Sequence, residues 1–166
     1  DPLSFPIEGD AFAEPWPVDL GSLRVAWTED FGNAPVEKGI RATMRDKIKA
    51  MKPLFRSLDK IDMDLGETDR CFDVIRAVSF VARYRDAYEN NRDLLGPNIR
   101  ANYEIGANMS LADFAWAHAE QTRIFRKFQE LYRDYDLVLG PTVGFSPFPW
   151  KQLYIDQMDG KKLRNY

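Results

Sequence analysis

The chain has 166 residues, 45% of them apolar and 13% aromatic, enough for one ordinary hydrophobic core. Charged residues make up 30%, yet the signs nearly cancel at −3, so no broad basic surface exists to neutralise nucleic-acid phosphates. One cysteine, Cys71, excludes an internal disulfide and a cysteine-based zinc site, and no apolar run approaches the roughly 20 residues that span a bilayer.

A reducing, cytoplasmic setting is the expectation from cysteine usage. The run Lys161–Lys162–Leu163–Arg164 is too small for an anionic-membrane anchor and reads as a solvated end. The sequence begins without Met and stops in mid-pattern at Asn165–Tyr166, so the expectation is a segment cut from the interior of a larger protein.

Taken in order, residues 1–22 carry Pro2, Pro6, Pro15 and Pro17 among mixed apolar residues and read as an extended surface arm. Leu23–Trp27 is short, β-prone and bounded by Gly21–Ser22, as a strand would be. Pro35 suits a first helical turn, and Val36, Ile40, Met44, Ile48 and Met51 recur on one face until Pro53. Lys60–Leu65 alternates polar and apolar residues and closes on Gly66, which predicts a second strand and makes 23–66 a βαβ unit.

From Asp69 to Asn91 the positions Phe72, Ile75, Val78, Val81, Ala82 and Tyr88 predict a helix well buried on that stripe. A shorter helix is expected after Pro97. Ser110–Asp113 is a capping-box-like start for a long helix whose stripe holds Leu111, Phe114, Ala115, His118, Thr122, Phe125, Phe128 and Tyr132. Asp136–Leu139 is a compact strand that empties past Gly140–Pro141 into the stretch Gly144–Trp150, rich in proline and aromatics.

The expected fold class is therefore α/β, mainly helical, with a small parallel or mixed sheet. Strands are placed near 23–28, 59–64 and 136–140, and helices near 35–52, 69–91 and 110–134. The chain reads as a single segment with an arm at 1–22, the βαβ unit at 23–66, a helical region at 67–134 and a strand with its loop at 135–166.

Searching this frame for chemistry yields mostly exclusions. No Gly-x-Ser-x-Gly turn exposes a serine nucleophile, and Ser4, Ser22, Ser79 and Ser110 read as loop, helix-interior or cap residues. His118 is the only histidine, which rules out a His-based zinc site or Ser–His–acid set within the chain, and it reads as packed and hydrogen-bonded on an apolar face. Cys71 reads as a buried, inert thiol. The pairs Asp62/Asp64 and Glu29/Asp30 read as solvated carboxylates rather than a metal site. Phosphate-cradling glycine patterns are absent, so no cofactor is expected. The rigid aromatic loop of residues 145–150 is weighed as a ligand pocket against the reading that its rings merely cover the core.

Several stretches, in order, resemble the middle of the amidase signature family: Asp1–Ser4, Leu23–Trp27 followed by Pro35–Val36, Leu95–Asn102, Gln121–Arg123 and Asp136–Thr142. The resemblance covers nearly the whole chain and implies a part of that family's α/β/α sandwich, following the catalytic core. It implies a parent enzyme, hydrolase or amidotransferase subunit, that cleaves a small-molecule carboxylic amide through a serine nucleophile, a second serine on a cis peptide bond and a lysine. No stretch here matches the Gly/Ser-rich core that carries these groups, so none of the three roles is transferred, and Lys47, Lys49, Lys52, Lys127 and Lys151 look solvated. Thr142, Phe145, Phe148 and Trp150 correspond to a region bordering the acyl-binding funnel and are the substrate-binding candidates. The family's next strand is expected after Tyr166, and the interrupted sheet and bare helix faces imply self-association that covers Phe145, Phe148, Trp150 and the arm around Phe12–Trp16. The alternative is an autonomous helical α/β binding or scaffolding domain without catalysis.

Overall fold

The computed structural model describes residue 6 and residues 9–13, 17–152 and 154–163. Asp1–Ser4, Pro15, Trp16 and residues 164–166, each used above, lie outside the described residues, as does the side chain of Phe12. The arm is not extended throughout, because Asp10–Ala13 forms one helical turn (α1) and Leu20–Ser22 a 3-10 turn capped by the Asp19 carboxylate, which accepts from Gly21 N at 2.9 Å.

A parallel sheet in the order β2-β1-β3 organises the rest: β1 is Arg24–Trp27, β2 Ser57–Lys60 and β3 Leu137–Leu139. As the middle strand, β1 is buried on both faces, with Val25 and Ala26 fully enclosed. The helix α2, Lys38–Met51, crosses from β1 to β2 and lays Met44, Ile48 and Met51 against Val25, Trp27, Leu58 and Leu139. That is the expected βαβ unit.

Two boundaries differ from expectation, each for a local reason. Helix α2 starts at Lys38 rather than Pro35, since Glu37 N donates to the Gly144 carbonyl (2.8 Å) and Lys38 N to the Asp159 carboxylate (2.9 Å). Strand β2 lies at 57–60 rather than 59–64. Its ladder with β1 ends where β1 ends, with Ile61 N donating to Trp27 O, and the chain then leaves the sheet. The alternation in 61–65 reports burial in a loop: Met63 and Leu65 are buried, while Met63 O sits 1.5 Å from where a Cβ on Gly32 (φ +96°) would stand.

The helical layer contains α3 (Thr68–Asn91), α4 (Pro97–Ala107) and α5 (Leu111–Asp134). Pro97 occupies the first turn of α4, and Ser110 and Asp113 close a full capping box on α5, both as read. The buried face of α3 is Cys71, Val74 and Ala77, however, and Phe72 and Ala82 from the expected stripe are exposed. Small residues are selected there because the helices approach closely: a Cβ on Gly106 of α4 would lie 2.1 Å from the Ala77 carbonyl oxygen of α3.

On α5 only Ala117 is fully buried, whereas Leu111 (83%) and Phe125 (61%) are exposed with Tyr132 and His118. The correction for His118 is that its imidazole stands in the open, edge-on to Phe114 at 4.4 Å, rather than packed in the core. Arg123 and Lys127 of α5 donate to the Leu65 and Asp64 carbonyls, and Glu120 Oε1 accepts from Glu67 N at 3.2 Å, which fixes the descent from sheet to helices. Lys127 is therefore half-buried, unlike the exposed Lys47, Lys49, Lys52 and Lys151. A two-stranded antiparallel hairpin, β4 (Gln157–Met158) and β5 (Lys161–Lys162), which the sequence expectation lacks, follows and turns on Asp159 and Gly160 at φ 50° and 79°. Lys161 and Lys162 are exposed.

Candidate functional site

In a parallel sheet ligands meet the chain beyond the carboxyl ends of the strands. Here those ends are the turn Thr28–Gly32 after β1, residues 61–62 after β2 and the loop that leaves β3 at Gly140. Thr28 Oγ1 accepts from Phe31 N (3.0 Å) and Asp30 Oδ1 from Gly32 N (2.9 Å), and the turn brings the Phe31 ring to 2.4 Å from where a Cβ on Gly140 would stand. Glycine at 140 thus lets β1's turn close over the exit from β3.

Beside this turn lies a polar cavity of about 340 Å³ lined by Thr28, Glu29, Asp30, Arg41, Lys60, Ile61 and Asp62. Glu29 is buried, not solvated as expected, and its carboxylate is taken by Lys60 Nζ (2.9 Å) and Arg45 Nη1 (3.2 Å), while Arg41 Nη1 holds Asp30 at 2.7 Å. Burial of Glu29 is sustained by these charge-assisted contacts. No group of three or more potential metal ligands occurs among the described residues.

The loop after β3 carries all four substrate-binding candidates. Phe145 and Phe148 come together, ring centroids 5.6 Å apart and tilted by 56°, both half-buried. Thr142 and Trp150 do not join them: both are exposed, Trp150 at 87%, with Lys151 Nζ 5.7 Å from the indole centroid. What holds the pair is a contact invisible in the sequence. Ser146 donates through N (3.0 Å) and Oγ (2.7 Å) to Glu37 Oε2, 109 positions earlier, and Glu37 N returns a bond to Gly144 O. Gly144 permits this approach, because a Cβ there would meet Pro35 O at 2.3 Å.

A second cleft, about 590 Å³, opens between α3, α4 and the start of α5. Val74, Ala77, Ile105 and Met109 give it an apolar floor, and Arg70 and Asp113 on its rim form an ion pair at 3.6 Å. Ser110 and Arg70 hold the Asp113 carboxyl below its ordinary range, the Ser110 hydroxyl most strongly. Sequence reading missed this cleft, since its lining is drawn from three helices at spacings that each look like ordinary packing.

Several groups suited to nucleophilic catalysis are engaged elsewhere. Ser22, Ser79 and Ser110 donate their hydroxyls to Asp19 O, Arg76 O and Asp113, each within one turn. Cys71 is buried with Sγ 3.2 Å from Ala117 O, and burial pushes its thiol pKa up, as an inert packing residue should show.

Sheet, crossover helix and helical layer define an α/β segment in which the hydroxyls of Ser22 and Ser79 are held by backbone carbonyls and those of Ser110 and Ser146 by carboxylates. No model of a known protein family matches the chain. An acylamidase of Rhodococcus erythropolis is 23% identical over 166 residues, 99% of this chain but 35% of the relative. A bacterial aryl acylamidase belonging to the amidase signature enzymes superposes with TM-score 0.69 at 16% identity, covering 89% of this chain and 33% of that one. A solved amidase gives TM-score 0.76 at 16% identity over 92% of this chain and 36% of its own. The chain shares the fold of these amidases over most of its length, and it spans about a third of the length of each of these relatives.

Proposed function

We propose that this chain is the part of an amidase that follows its catalytic core, and that the whole enzyme hydrolyses a carboxylic amide to an acid and ammonia or an amine. The carrying observation is that a similarity to an acylamidase runs through 99% of the chain while reaching only 35% of that relative. On this reading the serine, the cis-linked serine and the lysine that complete the mechanism lie outside the chain. The reading agrees with the engaged hydroxyls of Ser22, Ser79 and Ser110.

The contribution of this segment is the acyl side of the site. Phe145 and Phe148 offer an apolar, rigidly framed surface, and Thr142 and Trp150 extend it outward, available to a group brought by the rest of the enzyme. The bare faces of α5 and the sheet edges formed by β2 and β3 are the surfaces the remaining polypeptide covers; in its absence the segment self-associates over them. No described helix is long and apolar enough to cross a membrane, and a cytoplasmic enzyme is the setting we propose.

The test compares the purified chain with the longer protein that contains it on a simple aryl amide. Hydrolysis by the longer protein alone is the expected result, since an unactivated amide needs nucleophile, base and oxyanion donors held together. Turnover by the chain itself, abolished by one substitution within it, would overturn the proposal.

A further inference from the structure

We propose that Glu37 is a positioning residue that sets acyl-group specificity from a distance, by clamping the segment that carries Phe145 and Phe148. The inference rests on the amidase reading above. Glu37 sits at the N-cap of α2 but caps nothing with its own side chain; its Oε2 instead receives both polar hydrogens of Ser146.

With Glu37 N donating to Gly144 O, three bonds join two adjacent turns of chain around a single residue. The function a helix N-cap usually performs is supplied from elsewhere, by Asp159 Oδ2 on Lys38 N. The Glu37 carboxylate is thereby left to the loop. Phe145 lies between the two clamped residues, Gly144 and Ser146, and its ring meets Phe148 at 5.6 Å, so the orientation of the aromatic pair follows from where Ser146 is held.

Removing the carboxylate releases Ser146 while leaving the sheet and the α2 core, built on Val25, Trp27, Ile48 and Leu58, in place. An acyl group that reaches the rings should then bind less well, and one too short to reach them should not notice. The experiment uses the full-length enzyme and two anilides, one of acetic acid and one of a long or aromatic acid. Glu37→Ala is expected to raise KM for the larger acyl group by about three- to tenfold. For the acetyl substrate KM should move by less than about twofold, as should kcat on both.

Glu37→Gln retains an acceptor oxygen and restores part of the KM. Ser146→Ala gives the same shift as Glu37→Ala, and the double variant adds nothing further. Hydrogen exchange at residues 144–148 is followed in the same proteins and rises in Glu37→Ala if the clamp exists, whatever the enzyme hydrolyses. Unchanged exchange there would overturn the clamp itself. Faster exchange with no acyl-dependent change in KM would overturn the specificity role while leaving the amidase reading standing, and absence of amide hydrolysis in the wild-type enzyme would remove the reading on which it rests.

Discussion

The sheet layer and the helical layer of this chain bury different kinds of residue. Around β1 and α2 the core is made of Val25, Trp27, Ile48 and Leu58, large groups closed within the chain. Where α3, α4 and α5 meet, the enclosed residues are Tyr103 and the smaller Cys71, Val74, Ala77, Gly106 and Ala117, while the large Phe72, Leu94, Ile105, Leu111, Phe125 and Tyr132 are exposed. The first layer gains stability from apolar area, the second from close backbone approach. A layer that encloses mostly small residues and exposes large apolar ones leaves apolar surface open to a partner, as the proposed amidase reading expects.

The same substitution should therefore act oppositely in the two layers. Gly106→Ala gains up to about 1 kcal/mol in helix propensity, but its new Cβ meets the Ala77 carbonyl, a backbone atom that cannot rotate away. Overpacking wins, and a net loss of about 1–3 kcal/mol in urea unfolding is expected. Gly39 of α2 has nothing within 4 Å of its would-be Cβ, so Gly39→Ala should stabilise by about 0.5–1 kcal/mol. Similar signs for both would break the distinction.

Truncating large residues sharpens it. Ile48→Ala, in the α2 core, should cost about 2–4 kcal/mol, whereas Phe125→Ala on α5 should change the unfolding free energy of the isolated chain by less than about 0.5 kcal/mol. In the longer protein the Phe125 substitution should cost more, and an equal effect in both would argue against a covered face.

The smallest expected effect is pH-dependent and lies at the start of the sheet. Arg24 donates through N, Nε and Nη2 to Asp136, and this bonding, the side-chain bond first, lowers the Asp136 pKa below its ordinary 3.8. A depressed folded pKa means that the stabilisation is whole above the ordinary value and is lost as pH falls through the lower folded one. The stability gap between wild type and Asp136→Asn, followed by urea titration, should hold at neutral pH and close below about pH 3.8. A gap that widens on acidification would reverse the assignment.

Legibility in the sequence followed the range of the interactions. The Ser110–Asp113 capping box, Pro97 at the start of α4 and the strands around Val25 and Val138 are set by neighbours within a few positions, so the sequence pattern places them. The register of β2 depends on where β1 ends, and the buried face of α3 on how near α4 comes, so periodicity alone misplaced both. The apolar stripe that holds His118 reads as core, but an apolar stripe does not say which molecule covers it. At the site, the aromatic loop was visible as composition, while its anchor at Glu37 and the Asp159 cap, 121 residues from Lys38, are joined only by the fold. A glutamate at the N-cap, followed by no acidic residue in the first turn, was the faint signal available.

The central claim, that this segment frames the acyl group while the nucleophile comes from outside it, is tested most directly by labelling the full-length enzyme with a serine-reactive sulfonyl fluoride and mapping the modified residue. The account predicts loss of amidase activity with the label on a serine outside residues 1–166. A label on Ser57, Ser110, Ser146 or another serine of this chain, in step with inactivation, would contradict it.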